Sequence, residues 1–218
     1  MAPRVTGPED APAGGLVAVA DPAALERVAD VLAGGLVAAV PTDTVYGLAA
    51  RIDRPEAIDR LFELKGRRRD AAIAVLVGDL GQARRMGLAS RRGRRLAEAL
   101  WPGPLTIVVE RPACLTADIG GDGLTVGIRM PGHAALRRLL AQTGPLATTS
   151  ANPSGEPTPA TAAGVAAVFG PRVGVYLDGG PSGGGVPSTV VSDVGPELLV
   201  LREGPIGAAR IRAVAAGG

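Results

Sequence analysis

Leu36-Val37-Ala38-Ala39-Val40-Pro41-Thr42-Asp43-Thr44-Val45-Tyr46-Gly47-Leu48 is the stretch on which the fold turns. Leu36 to Val40 is apolar at every position, too short for a buried helix, and bounded by Gly34-Gly35 before and Pro41 after. That pattern reads as a strand buried on both faces. Upstream, Asp21-Pro22 supplies an N-cap residue and a proline for the first helical position. Leu25, Val28, Ala29 and Leu32 then fall on one face, and Gly34-Gly35 ends the helix. A helix feeding a buried strand that breaks into a turn with hydroxyls and one carboxylate is an α/β arrangement. In such folds the loops at strand ends carry ligand sites. A hydroxyl-rich turn can equally satisfy its own backbone, and the segment alone leaves both readings open.

Working outward, the same alternation continues. Pro55 opens a helix whose apolar set is Ala57, Ile58, Leu61, Phe62 and Leu64, and Lys65-Gly66-Arg67 stands at its end. Ile73 to Val77 is strand-like, and Asp79 to about Gly87 and Ser90 to Leu100 are helical. Trp101-Pro102-Gly103-Pro104 forces a turn before a strand from Leu105 to Val109. Leu124 to Met130 is a strand, Pro131 leads into a helix through Leu136, Leu139 and Leu140, and Pro145 to Thr149 is a short strand. His133, in the first turn of that helix, reads as a capping or packing residue. A helix from Thr161 to Phe169, a strand from Val173 to Leu177, a flexible Gly180 to Gly185 loop and strands near Ser188 to Val191 and Leu198 to Arg202 complete the pattern. The expectation is an α/β fold with a mixed sheet, a loose segment over residues 1–15 and a single domain over 16–218.

Composition narrows the chemistry. The 218 residues are 46% hydrophobic and 20% charged, as in globular proteins, with a net charge of +2. One cysteine, Cys114, excludes an internal disulfide, and one histidine, His133, leaves no histidine cluster for a metal and no G-x-S-x-G nucleophile, so no metal site is expected. No apolar run approaches the ~20 residues that span a bilayer, and the N-terminus lacks the order of a signal peptide, so a cytoplasmic protein is expected. Lys65 is the only lysine among 23 Lys and Arg residues. A compact ammonium retained where arginine is used everywhere else suits a phosphate site; codon bias and the negative end of the helix dipole offer ordinary explanations.

Residues with ligand chemistry gather at strand and helix ends: Thr42 and Thr44, Lys65 and Arg67, Arg129, Ser150 and Asn152, Ser188 and Thr189, and Arg202. Cations and hydroxyls without a nucleophile or a pair of carboxylates suit transfer chemistry, in which the protein positions a nucleophile against a phosphate and stabilises charge. There is no Walker A motif and no G-x-G-x-x-G at a strand–helix junction, so a nucleotide would be held in another way.

In order along the chain, PTDTVYGL, FELKGR, WPGPLT, VGIRMPGH, TTSANPSGEPTP, LDGG, PSTVV and LREG resemble the YrdC-like threonylcarbamoyl-AMP synthase family over roughly residues 20–212. The family's K-x-R and S-x-N signature corresponds to Lys65-Gly66-Arg67 and Ser150-Ala151-Asn152. The resemblance implies a twisted mixed sheet with flanking helices and a basic concave cavity. It implies condensation of L-threonine, bicarbonate or CO2, and ATP into threonylcarbamoyl-adenylate with release of pyrophosphate. Separate threonylcarbamoyl-transfer proteins would then modify tRNA. By the same resemblance Lys65 and Arg67 are the catalytic pair. With Ser150, Asn152, Ser188 and Arg202 they hold the nucleotide, while Thr42, Thr44, Tyr46, Arg129 and Thr149 shape the threonine pocket. Mg2+ would travel on the phosphates. Two departures stand out. The proline usual after K-G-R is replaced by Arg68-Arg69-Asp70-Ala71-Ala72, which should loosen that loop. The chain also ends soon after LREG, without the extra C-terminal domain of the longer form. An RNA-binding relative that makes no adenylate, or one using another carbamoyl or acyl acceptor, stays open, as does direct RNA contact.

Overall fold

The computed structural model describes residues 14–183 and 185–217. Ten strands run β1 (Gly15–Ala18), β2 (Ala38–Val40), β3 (Gly47–Arg51), β4 (Ala74–Leu76), β5 (Leu105–Glu110), β6 (Thr125–Arg129), β7 (Leu146–Ser150), β8 (Val175–Asp178), β9 (Thr189–Ser192) and β10 (Leu199–Arg202). Seven α-helices lie between and after them: α1 (Ala24–Ala33), α2 (Pro55–Lys65), α3 (Leu80–Arg85), α4 (Arg91–Leu100), α5 (Ala134–Thr143), α6 (Ala162–Phe169) and α7 (Ala208–Ala216). All ten strands form one mixed sheet in the order β1-β8-β2-β3-β7-β4-β6-β5-β9-β10. The segment expected to be loose lies outside the described residues up to position 13, and its last residue, Gly15, opens β1.

Most elements form where the local chemistry expects them. Pro55 is the first residue of α2, and Gly66 ends that helix in the left-handed region at φ 57°. Asp79, Ser90 and Thr161 cap α3, α4 and α6 by accepting the backbone N–H three residues on, contacts each worth about 1 kcal/mol. His133 caps α5 in the same way, accepting the Leu136 N–H at 3.4 Å through Nδ1. The start of α1 differs from expectation. It begins at Ala24, because Asp21 receives the Ala23 N–H at 2.9 Å in a preceding turn and pairs with Arg27 instead of capping the helix.

The alternation of side chains along each strand separates two packed faces. On one face, Val75, Ile107, Val109, Val126 and Ile128 join a core completed by Ile58 and Leu61 of α2, Leu96 of α4, and Ile211 and Val214 of α7. On the other, Val40, Ala49, Leu76 and Leu146 pack beneath Leu25, Val28 and Leu32 of α1 and Leu136, Leu139 and Leu140 of α5. Leu76 also borders open space, so this second face changes character across the sheet. Where α1 and α5 end, the floor continues as Thr106 and Val108, Thr125 and Gly127, Thr148 and Ser150, and Val190, alternate residues on neighbouring strands. The uncovered part of that face is the concavity in which the polar residues collect.

Candidate active site

The cavity has a volume of about 660 Å3, inside the range of roughly 300–1,000 Å3 usual for small-molecule sites. Thr42, Thr44, Tyr46, Arg67, Arg129, Thr149, Ser150, Asn152, Ser188 and Arg202 all line it. Of the residues singled out in the sequence as ligand-bearing, Lys65 alone stands behind the wall, and Thr189 faces away, donating its hydroxyl to the Ile206 carbonyl at 2.8 Å.

One end is built on Arg129, from the last residue of β6. Its Nε donates to the Gly103 carbonyl at 3.1 Å, Nη1 to Thr44 Oγ1 at 2.9 Å and Nη2 to Asp43 Oδ1 at 2.6 Å. Of the five guanidinium hydrogens, one on each terminal nitrogen remains for the cavity. Burial pulls the Arg129 pKa down, Asp43 opposes that pull, and Arg202 adds to it as a like charge. Thr42 serves the turn: its hydroxyl donates to the Val45 carbonyl at 2.6 Å and accepts the Thr44 and Val45 N–H groups. The two readings of the hydroxyl-rich turn are therefore divided between two residues, with Thr42 satisfying backbone and Thr44 facing the guanidinium. Gly47 allows the close approach of β7, since a Cβ would lie 2.8 Å from the Thr148 methyl and 3.3 Å from the Thr149 carbonyl and would push them away. Tyr46 is fully buried and spends its hydroxyl on the glycine-rich segment, donating to the Gly180 carbonyl at 2.7 Å and accepting the Gly179 N–H at 3.2 Å.

The opposite end holds Arg67 and Arg202. Arg67 donates to the Ala71 and Ala72 carbonyls at 2.9 and 2.8 Å, and Arg202 donates to the Ser188 carbonyl through Nε and Nη2 at 3.1 and 2.8 Å. Among the described residues neither has a carboxylate within ion-pair distance. Burial lowers both pKa values, and Arg202 pushes Arg67 down further as a like charge. Ser188 completes this end, its hydroxyl 2.8 Å from Thr106 Oγ1.

Between the ends lies the turn after β7. Lys65 is 3% exposed, and its Nζ donates to the Ser150 carbonyl at 2.8 Å, Ser150 Oγ at 3.1 Å and Asn152 Oδ1 at 3.0 Å. Those acceptors engage all three ammonium hydrogens. Its own carbonyl accepts the Ser154 N–H at 2.8 Å, so α2 and the Ser150–Asn152 turn are tied at two points. Burial, with Arg67 nearby, lowers the lysine pKa from 10.5 to about 8.

Sequence reasoning missed Asp43, Thr106, Thr148 and Glu156. Asp43 stood inside the quoted turn, but its partner lies 86 residues away. Thr106 had a readable signal, a single hydroxyl in the otherwise apolar run from Leu105 to Val109, whereas Thr148 is followed directly by Thr149 and Ser150. Glu156 lines the wall, and Asp70 stands close enough to Arg67 to act on it as an opposite charge. Among the described residues no three His, Cys, Asp or Glu side chains stand together as a metal cage, and no helix is long and apolar enough to cross a membrane.

The family described as Sua5_yciO_yrdC, telomere recombination, matches residues 30–204. A Mycobacterium leprae protein provisionally named threonylcarbamoyl-AMP synthase is 40% identical over 184 residues, covering 84% of each chain. The Bacillus subtilis threonylcarbamoyl-AMP synthase is 37% identical over 193 residues, which span 87% of this chain and 56% of that longer protein. Among solved structures, Pyrococcus abyssi Sua5 complexed with L-threonine superposes with a TM-score of 0.83 at 34% identity, over 87% of this chain and 56% of that one. Escherichia coli YciO shares the fold at a TM-score of 0.82 and 20% identity, over 90% and 98% of the two chains. With a family match spanning most of the chain and a fold that superposes on Sua5, this chain belongs to the Sua5/YciO/YrdC family.

Proposed function

We propose that the chain condenses L-threonine, CO2 or bicarbonate, and ATP into threonylcarbamoyl-adenylate and pyrophosphate. The observation that carries this reading is the division of one cavity into a charge-balanced end at Arg129 and an end at Arg67 and Arg202 where, among the described residues, no carboxylate is within ion-pair distance. A zwitterionic amino acid suits the first, because the two free N–H groups of Arg129 donate to its carboxylate while Asp43 holds the guanidinium in plane. A triphosphate suits the second, where it removes the repulsion between the partly buried Arg67 and the exposed Arg202. The names of the relatives and the threonine bound to Pyrococcus abyssi Sua5 support the same assignment.

The chemistry needs no nucleophile from the protein. The threonine amine adds to CO2 and loses a proton, giving a carbamate. A carbamate oxygen then attacks the α-phosphorus, and the bond to the bridging oxygen of the β-phosphate breaks as pyrophosphate leaves. Catalysis then consists of alignment and of stabilising charge on the transferring phosphoryl group. Arg67, Arg202 and the Ser188 hydroxyl take the phosphates. Lys65 holds the Ser150–Asn152 turn in place, and its charge adds to the field. Thr44 and Thr149 sit beside the threonine end. Enclosure by the sheet floor limits hydrolysis of the carbamate and of the mixed anhydride. With Asp43 engaged by Arg129, the donor set does not form a protein cage for Mg2+. It fits a magnesium ion carried on the triphosphate with water filling its coordination. On this reading the adenylate is an activated carbamoyl donor for transfer proteins that act on tRNA, and a cytoplasmic reaction fits that role.

Pyrophosphate release measured with ATP and bicarbonate against each amino acid in turn tests the reading. Release that depends on threonine is expected. Release dependent on another amine would reassign the substrate, and no release with any amino acid would overturn the synthase reading.

A further inference from the structure

The turn from Arg68 to Ala72 lacks a proline, yet two other segments hold it. Arg69 is the centre of that arrangement. Its guanidinium stacks 4.1 Å from the centroid of the Phe62 ring on α2 and pairs with Asp59 of the same helix. Through Nη1 it also reaches the Asp118 carbonyl at 3.1 Å and Asp118 Oδ2 at 3.2 Å, on the connection between β5 and β6. The Arg69 carbonyl accepts the Gly121 N–H at 2.8 Å. That connection lies close against the turn because Gly120 and Gly121 carry no side chains. A Cβ on Gly120 would stand 2.7 Å from the Arg69 carbonyl oxygen and 2.9 Å from Phe62, and one on Gly121 would stand 2.9 Å from the Ala72 Cβ.

What the turn holds is Arg67, whose Nε and Nη2 donate to the Ala71 and Ala72 carbonyls. The path of residues 69–72 therefore sets where the remaining hydrogens of Arg67 point in the cavity. Arg69 itself is outside the cavity lining. We infer that Arg69 is a positioning residue for nucleotide binding: it bridges α2 to the β5–β6 connection and so fixes the carbonyls that orient Arg67 toward the phosphates. This rests on the reading of the Arg67 and Arg202 end as a phosphate site. A planar guanidinium that stacks and forks at once can make this bridge, and a lysine ammonium cannot reproduce both contacts.

Titration calorimetry with ATP and with inorganic pyrophosphate tests it on the whole chain. Arg69→Ala should weaken ATP binding roughly tenfold, with Arg69→Lys intermediate and threonine affinity unchanged. Removing exposed ion pairs alone changes stability little, so thermal unfolding separates this loss from misfolding. The decisive step is a cycle with Arg67→Ala. If Arg69 acts through Arg67, then Arg69→Ala has no further effect on ATP affinity in the Arg67→Ala background. Equal losses in both backgrounds, or wild-type affinity in Arg69→Ala, would overturn the inference. A wild-type chain that binds ATP but releases no pyrophosphate with any amino acid would sink the synthase reading while the binding cycle still decides the role of Arg69. One that binds neither ATP nor pyrophosphate would overturn both.

Discussion

The Arg129 end of the cavity and the Arg67–Arg202 end use the same side chain in opposite ways. Arg129 is almost wholly enclosed by acceptors of the chain itself, a carboxylate among them, whereas Arg67 and Arg202 touch only neutral oxygens. A buried cation with a matched anion is a finished part of the structure; two cations without one are kept apart only by the protein around them and are relieved by an anionic ligand. The difference teaches that counting arginines in a cavity says less than asking what each already holds. Lys65, between the ends, is the extreme case, a cation whose every hydrogen is engaged by the chain.

The largest effect is expected where the two ends are joined. Lys65→Ala removes one donor from the Ser150 and Asn152 oxygens, which keep the Asn152 N–H and the Thr158 hydroxyl, at about 1 kcal/mol for each hydrogen bond lost, and disturbs both ends. Adenylate formation should fall by roughly 100-fold or more while the protein remains folded; normal turnover would remove Lys65 from the site. Lys65→Arg should fail as well, because a planar fork cannot meet acceptors that converge within 3.1 Å of one nitrogen.

Next in size, Arg202→Ala should raise the KM for ATP by roughly 10- to 100-fold and leave that for threonine in place. Equal changes for both substrates would erase the distinction between the ends. Asp43→Asn is the converse probe. It keeps an acceptor for Arg129 but removes the charge, so the threonine KM should rise by about tenfold or less with ATP unaffected.

The smallest expected effect concerns pH. With the Lys65 pKa near 8, activity should fall to about half at that pH as the ammonium loses a hydrogen that Ser150 or Asn152 needs. The stability change runs the other way. Between about 8 and 10.5 the unfolded chain binds more protons at this residue than the folded one, so its ionisation raises stability as pH rises, and the gain is lost as pH falls back through 8. An alkaline loss of activity with no fall in melting temperature is the expected pairing; a parallel loss of both would mean unfolding.

Much of this was legible in the sequence. Pro55, Asp79, Ser90 and Thr161 announced helix starts because a cap or a ring constraint acts within three or four residues. Strand β3 escaped notice: Gly-Leu-Ala-Ala-Arg has no β-branched residue, and it is a strand because it pairs antiparallel with β2 on one side and β7 on the other. Helix α7 escaped for a related reason, as its alanine-rich pattern gains a face only where Ile211 and Val214 meet the main core. The turn after Arg67 is a third case. Its missing proline argued for looseness, and Arg69 holds it through residues that begin ten positions earlier and end fifty-two later.

What the sequence determined by itself was the local grammar and the inventory: an α/β alternation, the polar breaks after β2, α2, β6 and β7, and a cation set with no nucleophile beside it. The ordered motifs also carried the family. What only the tertiary structure decided was which of those charges are free. Asp43 reaches Arg129 across 86 residues and Lys65 reaches Asn152 across 87, because the strand order carries β3, β7, β4 and β6 side by side. Propensity and spacing act over a few residues, whereas the pairing of a buried charge depends on which strands become neighbours.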